Sequence, residues 1–553
     1  MSKSPKMIAR QDKTVSIHHP KVKEDISISI RTQMDRRIIL RLRHLLPFPL
    51  SFRLTSHLPG AIRSLFSTIY VLTSTRPRKP AKLHTTSYLD GLRGLAALII
   101  CIAHYTEVNH SYLTPWYGVS LDPAKALQPS WIQLPFVRVL FSGRPMVHVF
   151  FVISGFALSV NALNAIRARD FAKCHSVLLS AALRRPIRMC GPPVVSMVSV
   201  IVFIRVSWLW GILPSLRQRL DDWVAAAYYH VAWPWSSDID LSSPYNVNLW
   251  TIPIELCHSL FLLLMILALS RLRTAARVVF ALAFVMYCLR CGKWAAAEFI
   301  GGMVLAEAHV ASAERDIHQR LPLVNPPAYL SSPRGKKSDT SQTNKRSSTM
   351  NAMKTILRVS ILAAALFVFG WPNVDSSRTP GFRYLVYLIP RASNPHNPLD
   401  AQNFWFAIAA MGIVWSCERL TFVRKTILES RFAQYAGRIS FAIYIVHGPV
   451  FNLFQDAVLG VPARPEKWIG SKGSGLRGWI GVDTAFNRTL CWAAGFACLY
   501  PLVLVAADFF YWLVDEPFMR LAKKIEIWAV SDPDEVLERE MRSRQHAEDK
   551  RWA

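Results

Sequence analysis

The chain has 553 residues, of which 52% are hydrophobic and only 18% are charged, and its mean hydropathy is +0.22. This composition excludes an ordinary soluble enzyme and indicates a membrane protein. The 65 Lys and Arg residues outnumber the 36 Asp and Glu residues, and the formal net charge is +29. A nucleic-acid partner is not expected, because the basic residues are spread over a tail and alternate loops instead of forming one patch.

Residues 1–86 form a basic N-terminal extension with 17 Lys and Arg residues and four acidic ones. No apolar run of sufficient length follows the basic start, so the segment does not resemble a cleaved signal peptide. Two interpretations of this extension stay open. It is either a flexible cytosolic tail or an amphipathic segment that lies on an anionic membrane surface.

Apolar stretches of near-spanning length recur from Leu89 onward, and each is comparable with the about 20 residues that cross a hydrocarbon core. The sequence therefore predicts an all-α fold, a polytopic membrane bundle of about ten transmembrane helices. The predicted spans are 91–108, 146–164, 192–213, 249–270, 275–290, 293–310, 355–372, 401–418, 439–456 and 487–514.

The charges of the loops predict the orientation of this bundle. If the N-terminus is cytosolic, loops 165–191, 311–354 and 419–438 are also inside, and they hold six, eight and five basic residues against one, three and one acidic residues. The positive-inside rule then places both termini in the cytosol. The membrane that the bundle spans is expected to be an endomembrane or the plasma membrane. The composition of 325–354 predicts a disordered linker, and 521–553 is predicted to be a cytosolic tail.

The nine cysteines lie mostly in apolar runs, where they are expected to act as small hydrophobic residues of helices. Cys288 and Cys291 form a Cys-x-x-Cys pair that is either a chance spacing, a short lumenal disulfide or a redox motif. No second pair completes a zinc site, and no metal site is predicted.

Arg93 and His104 are ionisable side chains of the first span, and each is a functional candidate because such groups are costly inside a membrane. Arg93 and His104 are eleven residues apart, which places them on one helix face, about 16 Å apart along the axis. This spacing suits an extended ligand with an anionic head and a reactive end, a form that acyl-coenzyme A has. The alternative is structural, with Arg93 as a membrane anchor and His104 in a helix–helix hydrogen bond.

Six motifs in chain order resemble the membrane acyltransferase 3 family. The first is Leu89-Asp-Gly-Leu-Arg-Gly-Leu-Ala-Ala97 with His104 eleven residues after Arg93. The others are Phe150-Phe-Val-Ile-Ser-Gly-Phe156, Arg184-Arg-Pro-Ile-Arg188, Leu249-Trp-Thr-Ile-Pro-Ile-Glu255, Ser440-Phe-Ala-Ile-Tyr-Ile-Val-His447-Gly-Pro and Asp515-Glu-Pro-Phe518. The resemblance covers residues 87–520. The long basic extension before it and the divergent fourth-span motif look like those of a eukaryotic, fungal member.

The resemblance implies an O-acyltransferase that transfers an acyl group, with acetyl as the family-level expectation, to a hydroxyl group. The acceptor is expected to be a carbohydrate, a lipid or a small natural product, and acyl-CoA is expected as a co-substrate rather than a permanently bound cofactor. A membrane transporter or a non-catalytic membrane protein that retains the fold is the alternative function.

The catalytic residues implied by the resemblance are His104, Glu255 and His447. His104 is expected to be the general base, although an acyl-histidine relay through the same residue stays open. Glu255 needs a partner, which is either a buried basic group or an acceptor hydroxyl, and it is expected to orient a group in the site. His447 is expected to position the acceptor, and a satisfied buried histidine is the structural alternative.

Arg93, Arg185 and Arg188 are expected to bind the phosphates of coenzyme A, whereas anchoring at the cytosolic surface explains the last two equally well.

Two further features concern the helices. Ser154-Gly155-Phe156 predicts close helix packing rather than substrate contact. Pro253, which stands before Glu255, is expected to kink the fourth span near its start.

Overall fold

The structure is a computed structural model that describes residues 83–117, 130–205, 216–232, 245–320, 340–373, 376, 379–389, 398–460 and 475–530. All of these residues belong to one compact unit, Arg76–Ala553. The basic extension predicted for 1–86 lies outside the described residues except for its last four positions, so its interpretation stays a prediction.

The described part of the chain is helical and contains no β-strand. This confirms the all-α fold. The helices of eight or more residues in this part are α1 (Ser87–Asn109), α2 (Gly143–Arg167), α3 (Phe171–Arg205), α4 (Leu216–Ala227), α5 (Thr251–Leu269), α6 (Thr274–Arg290), α7 (Trp294–Arg320), α8 (Thr340–Phe369), α9 (Pro398–Arg419), α10 (Arg431–Arg438), α11 (Ser440–Leu459), α12 (Ala485–Phe510) and α13 (Glu516–Val530).

Each predicted span overlaps one of these helices, but not every helix is long and apolar enough to cross a membrane. Five segments of the described chain meet both conditions: Ser87–Asn109, Gly143–Arg167, Val247–Leu269, Thr349–Phe369 and Ala485–Val530. They indicate a membrane protein, whereas the count of ten crossings is not confirmed. The helix α6 shows one reason, because its 17 residues cover about 26 Å, less than the roughly 30 Å of a hydrocarbon core.

The helix α2 packs against α1, α3, α5, α7 and α9 and therefore lies inside the bundle. Its contact with α7 is close because both helices carry glycine where they meet. A Cβ atom on Gly155 would overlap the carbonyl oxygen of Phe299, and one on Gly302 would overlap that of Val152. Small residues allow such close approach of membrane helices, and the packing interpretation of Gly155 is supported.

An ionic cluster joins one end of α2, α6 and α7. Arg277 of α6 donates two hydrogen bonds to the Glu307 carboxylate of α7, at 3.1 and 3.0 Å. Arg167 at the end of α2 donates to the same carboxylate at 2.9 Å. These three helix ends lie on one side of the bundle, as alternating crossings require. The side of the membrane on which they lie stays a prediction.

The segment 165–191 is mostly helical, and its interpretation as a loop was wrong. The helix α3 begins at Phe171 and continues for 35 residues through Pro186. Between Phe171 and Cys190 the chain has no glycine and this single proline. The basic motif of this segment therefore lies on a helix that continues into the bundle, which fixes the directions of its side chains.

Two boundaries taken from the sequence differ from the helix bounds of the structure. The helix α8 begins at Thr340, so residues 340–354 of the predicted linker are helical rather than disordered, and 336–369 has neither proline nor glycine. Residues 325–339 lie outside the described part. The helix α13 packs against α3 and ends at Val530, ten residues beyond the predicted limit of the domain. The tail after Val530 lies outside the described residues.

Pro253 is the third residue of α5, and the helix continues without interruption to Leu269. A proline in the first turn removes no intrahelical hydrogen bond, because the first N–H groups of a helix have no partner within it. The kink predicted at the start of this span is therefore not required.

Candidate active site

A cavity of about 390 Å³ lies between α1, α2, α3, α5, α11 and α13. Four arginines line it, Arg93 of α1 and Arg184, Arg185 and Arg188 of α3. Glu255 of α5 is the one acidic residue among the described residues of the lining, so these residues carry a net positive charge. The structure therefore brings together the three arginines that the sequence assigns to phosphate binding and one of the three predicted catalytic residues. We call this cavity the arginine pocket.

Helical spacing explains how α3 supplies three of these guanidinium groups. Arg185 and Arg188 are three residues apart on one helix, and side chains at this spacing share a face. Arg184 was not predicted as a site residue, although it is part of the same motif. It lies 3.2 Å from Glu526 of α13, and this helix closes one side of the pocket with Met519 and Ala522.

Glu255 is held by two donors from neighbouring helices. Its Oε1 atom accepts a hydrogen bond from Arg185 Nη2 at 2.9 Å and one from Ser154 Oγ at 2.8 Å. Neither histidine of the predicted site is among its partners in the described residues. Of the two partners that the sequence left open for Glu255, the geometry supplies the basic group, and the carboxylate orients Arg185 rather than a histidine.

Arg93 has a looser environment than Arg185. Its Nη1 atom lies 3.8 Å from Asp90 Oδ1, and the Asp90 side chain is 57% exposed. The Asp515 carboxylate is one of the charged groups that act on Arg93. Asp515 is buried, and neither of its carboxylate oxygens accepts a hydrogen bond within the described chain. Arg93 is therefore not engaged in a tight ion pair and remains available to an anionic ligand.

His104 and His447 are brought together by the packing of α1 against α11. Their rings are stacked, with centroids 5.2 Å apart and an angle of 23° between the planes. Neither residue lines the arginine pocket, but Ile100 and Tyr444 do. Since these residues precede His104 and His447 by four and three positions, the histidine pair lies about one helical turn, some 5 Å, beyond the pocket.

The hydrogen bonds of His447 use both of its ring nitrogens. Nδ1 lies 3.1 Å from the carbonyl oxygen of Ile443, to which it donates, and Nε2 lies 3.0 Å from Asn248 Nδ2, from which it accepts. The side chain is completely buried. His447 therefore has no nitrogen free for the acceptor hydroxyl, and its geometry suits positioning rather than proton transfer.

His104 differs from His447 in exposure and in hydrogen bonding. Its side chain is 36% exposed, and Nδ1 lies 3.6 Å from the Glu107 carboxylate. No hydrogen bond to Nε2 is present within the described part of the chain. His104 is therefore the histidine of the pair that can take a proton from a substrate.

A chain of polar contacts connects the arginine pocket to the histidine pair. The Tyr444 hydroxyl lies 2.7 Å from Thr251 Oγ1 and donates to the carbonyl oxygen of Asn248. The Asn248 side chain in turn donates to His447. Asn246 donates to the carbonyl oxygen of Ile445 at 2.9 Å, which fixes the segment before α5 against α11.

Sequence reasoning missed both asparagines, Asn246 and Asn248. They stand directly before the Leu249-Trp-Thr motif, and their polar character next to an apolar span was the available signal. The contact also explains Gly448, because a Cβ atom there would lie 2.6 Å from Asn248 Nδ2. A larger residue after His447 would displace the amide that holds this histidine.

The structure describes all nine cysteines, and none of them forms a disulfide. Of the interpretations of the Cys288-x-x-Cys291 pair, a disulfide is therefore not observed. Cys288 is buried and Cys291 is exposed at the turn between α6 and α7. Among the described residues, no group of three or more His, Cys, Asp and Glu side chains is placed to hold a metal ion.

A family described as an acyltransferase domain matches residues 86–512 of the chain. The chain belongs to the acyltransferase 3 family. It is 27% identical over 498 residues to the O-acetyltransferase PaAT-1 of Phomopsis amygdali, and the match covers 85% of this chain and 89% of that protein. It is 24% identical to the acyltransferase R4 of Phoma sp., over 81% of this chain and 97% of that protein.

A third relative is the acyltransferase clz18 of Cochliobolus lunatus, which is 24% identical over 78% of this chain and 94% of that protein. No solved structure matches the chain. The family match and the fungal relatives make the protein an acyltransferase. The alternative of a transporter or a non-catalytic protein receives no support.

Proposed function

We propose that this acyltransferase is a membrane-bound O-acetyltransferase that uses acetyl-CoA and a hydroxyl-bearing acceptor, which is a carbohydrate, a lipid or a small natural product. The observation that carries the proposal is the arginine pocket one helical turn from a stacked pair of histidines. The Phomopsis amygdali relative is named an O-acetyltransferase, which favours acetyl as the acyl group.

The arginine pocket fits the phosphates of coenzyme A. Guanidinium groups form strong, paired hydrogen bonds with phosphate oxygens. The described residues of the lining include four arginines and a single carboxylate, and Arg185 Nε is buried without a hydrogen-bond partner in the described chain. Arg93 and Arg188 supply further donors, and Arg185 is oriented by Glu255.

His104 acts as the general base in the proposed reaction. Its Nε2 atom removes the proton from the acceptor hydroxyl while the hydroxyl oxygen attacks the thioester carbonyl carbon. The carbon–sulfur bond then breaks, and the leaving thiolate takes the proton from His104. The products are an acyl ester and free coenzyme A, and His104 is returned to its neutral form.

His447 holds His104 in place rather than transferring a proton. It covers one face of the His104 ring, and its own ring is fixed by Asn248 and the carbonyl oxygen of Ile443. Glu255 acts on the binding of acetyl-CoA, because it orients Arg185. Both residues are therefore positioning residues in this proposal. The sequence analysis also expected Glu255 to orient a group, and it expected His447 to position the acceptor rather than His104.

An acyl-histidine relay remains the rival mechanism for His104. In the relay, Nε2 attacks the thioester itself and passes the acyl group to the hydroxyl. Rapid-quench mass spectrometry of the protein mixed with [14C]acetyl-CoA separates the two mechanisms. Direct attack leaves no labelled protein, and the relay leaves label on the peptide that contains His104.

Two measurements test the proposed function. Calorimetry of the purified protein is expected to show binding of coenzyme A and much weaker binding of pantetheine, which lacks the nucleotide phosphates. Incubation with [14C]acetyl-CoA and a panel of hexoses, sterols and terpene alcohols is expected to give labelled ester and free thiol. Equal affinity for coenzyme A and pantetheine would contradict phosphate binding, and the absence of thiol release with the panel or with water would contradict acyl transfer from acetyl-CoA.

A further inference from the structure

Glu107 lies on α1 one helical turn beyond His104, and none of the six sequence motifs contains it. Its Oε2 atom lies 3.6 Å from His104 Nδ1. This distance is too long for a hydrogen bond, but catalytic contacts are often long before substrate binds and tighten in the complex.

Two neighbouring elements act on the Glu107 carboxylate. Asn373, in the segment after α8, donates a hydrogen bond from Nδ2 to Glu107 Oε1 at 3.0 Å. Arg138, in the short helix before α2, is the second neighbour. Burial lowers the pKa of Arg138 to about 10, and the Glu107 carboxylate acts on it in the opposite direction, so the two charges attract each other. Arg138 remains charged at neutral pH.

We propose that Glu107 is a positioning residue for His104, and that it holds the ring with Nε2 directed to the acceptor hydroxyl and stabilises the imidazolium that forms during acyl transfer. This assignment rests on the proposed function. One carboxylate oxygen faces the base, and the other is fixed by Asn373. The same arrangement of a base and a carboxylate that orients it recurs in enzymes with activated nucleophiles.

The proton balance of the step is simple. In the resting state Nδ1 carries the proton and faces Glu107, and Nε2 has a free lone pair. When Nε2 takes the hydroxyl proton, the ring becomes an imidazolium whose Nδ1–H donates to the Glu107 carboxylate. The Nε2 proton then passes to the thiolate of coenzyme A, and Glu107 is never protonated.

The test compares Glu107→Gln, Glu107→Asp and Asn373→Ala with the unchanged protein, by thiol release from acetyl-CoA with the acceptor panel. Glu107→Gln is expected to lower kcat by about 10- to 100-fold, the range of a hydrogen bond to a charged group. The KM for acetyl-CoA is expected to stay within twofold. Glu107→Asp is expected to restore part of kcat, because it restores the negative charge.

The pH profile separates positioning from a structural role. Among the described residues, the titratable groups placed against His104 are Glu107 on its own helix and His447 on α11. Arg138 attracts the Glu107 carboxylate electrostatically. Loss of the carboxylate charge makes the imidazolium less stable, so the acid limb of kcat is expected to move to lower pH in Glu107→Gln. In Asn373→Ala the charge of Glu107 remains, so the acid limb is expected to stay in place. The kcat is expected to fall, because Asn373 no longer fixes the Glu107 carboxylate.

Glu418→Gln is the matched control, because Glu418 pairs with His309 at 2.8 Å between α7 and α9, away from the site. It is expected to leave the acid limb unchanged. An acid limb in Glu107→Gln identical to that of the unchanged protein, or a loss of acetyl-CoA binding instead of kcat, would overturn the assignment of Glu107 while leaving acyl transfer intact. Unchanged thiol release in His104→Ala would instead overturn the proposed mechanism.

Discussion

At the scale of single residues, burial and hydrogen bonding separate two histidines that the sequence presents alike. Both stand inside apolar segments, and both were assigned to catalysis. The completely buried His447 uses its two nitrogens on Ile443 and Asn248, whereas His104 is partly exposed and keeps Nε2 available. The proton therefore goes to His104, and His447 determines how its ring is held.

The contact between Asn248 and His447 leads to a prediction about non-additivity. Removal of either partner frees the other in a buried site, which costs about 1–3 kcal/mol. If this cost appears in the transition state, kcat falls by about 5- to 100-fold. We expect Asn248→Ala and His447→Ala to lower kcat by similar amounts, and the double variant to be no slower than either single variant.

The measurement is kcat at saturating acetyl-CoA for the two single variants, the double variant and Gly412→Ala as an unrelated control. Multiplicative effects of Asn248→Ala and His447→Ala would show that the two residues act independently. A loss in His447→Ala as large as that in His104→Ala would contradict its positioning role.

At the scale of helices, the pairing of Arg185 with Glu255 connects α3 to α5 at the pocket. The sequence places Glu255 in catalysis, but its partners place it with the arginines. Glu255→Gln is therefore expected to raise the KM for acetyl-CoA by about one to two decades, the contribution of a hydrogen bond between charged groups. The effect on kcat is expected to be small.

Glu429→Gln is the matched control for this variant, because Glu429 pairs with Arg424 at 2.7 Å outside the pocket. It is expected to leave the KM unchanged. A fall of kcat in Glu255→Gln with an unchanged KM would return Glu255 to the chemical step and would contradict its role in orienting Arg185.

The close contact between α2 and α7 predicts a stability effect at Gly155. A Cβ atom at this position would overlap the backbone of Phe299, and a backbone cannot move aside as a side chain can. Gly155→Ala is expected to lower the free energy of unfolding by about 1–3 kcal/mol, the usual range for overpacking.

Thermal unfolding in detergent measures this effect, and Gly412→Ala is the control. A Cβ atom on Gly412 would lie 3.3 Å from the flexible Ile361 side chain, which can shift by a few tenths of an ångström. A melting temperature for Gly155→Ala equal to that of Gly412→Ala would show that α2 and α7 do not meet at Gly155.

At the scale of the whole molecule, the sequence predicts the helices and the motif residues, but not how they meet. Each predicted apolar span overlaps a helix, whereas α4, α10 and α13 lie outside the predicted spans. The motifs located Arg93 and His104. Asn248 and His447 are 199 residues apart, and no local pattern links them. The continuation of α3 through the basic motif was missed, because the basic residues of 165–191 were interpreted as a sign of a loop. Arginine is compatible with a helix, however, because its helix propensity is high.

The predicted orientation can be tested at Cys291, which is the one cysteine of the nine described that is exposed. If both termini are cytosolic and ten spans alternate, the turn between α6 and α7 faces the lumen. A membrane-impermeant maleimide is then expected to leave Cys291 unlabelled in sealed microsomes and to label it after detergent is added. Cys291→Ser controls for other thiols, and labelling in sealed microsomes would contradict the orientation.

The most direct test compares acetyl-CoA affinity, by calorimetry, with kcat in His104→Ala and Arg188→Ala. His104→Ala is expected to bind acetyl-CoA as the unchanged protein does and to lose about 10²–10⁴-fold in kcat, the usual contribution of a general base. Arg188→Ala is expected to lose about one to two decades in affinity. Two results would together contradict both halves of the proposed site. The first is that His104→Ala keeps more than about a third of kcat, a much smaller loss than that of a general base. The second is that Arg188→Ala binds acetyl-CoA with unchanged affinity.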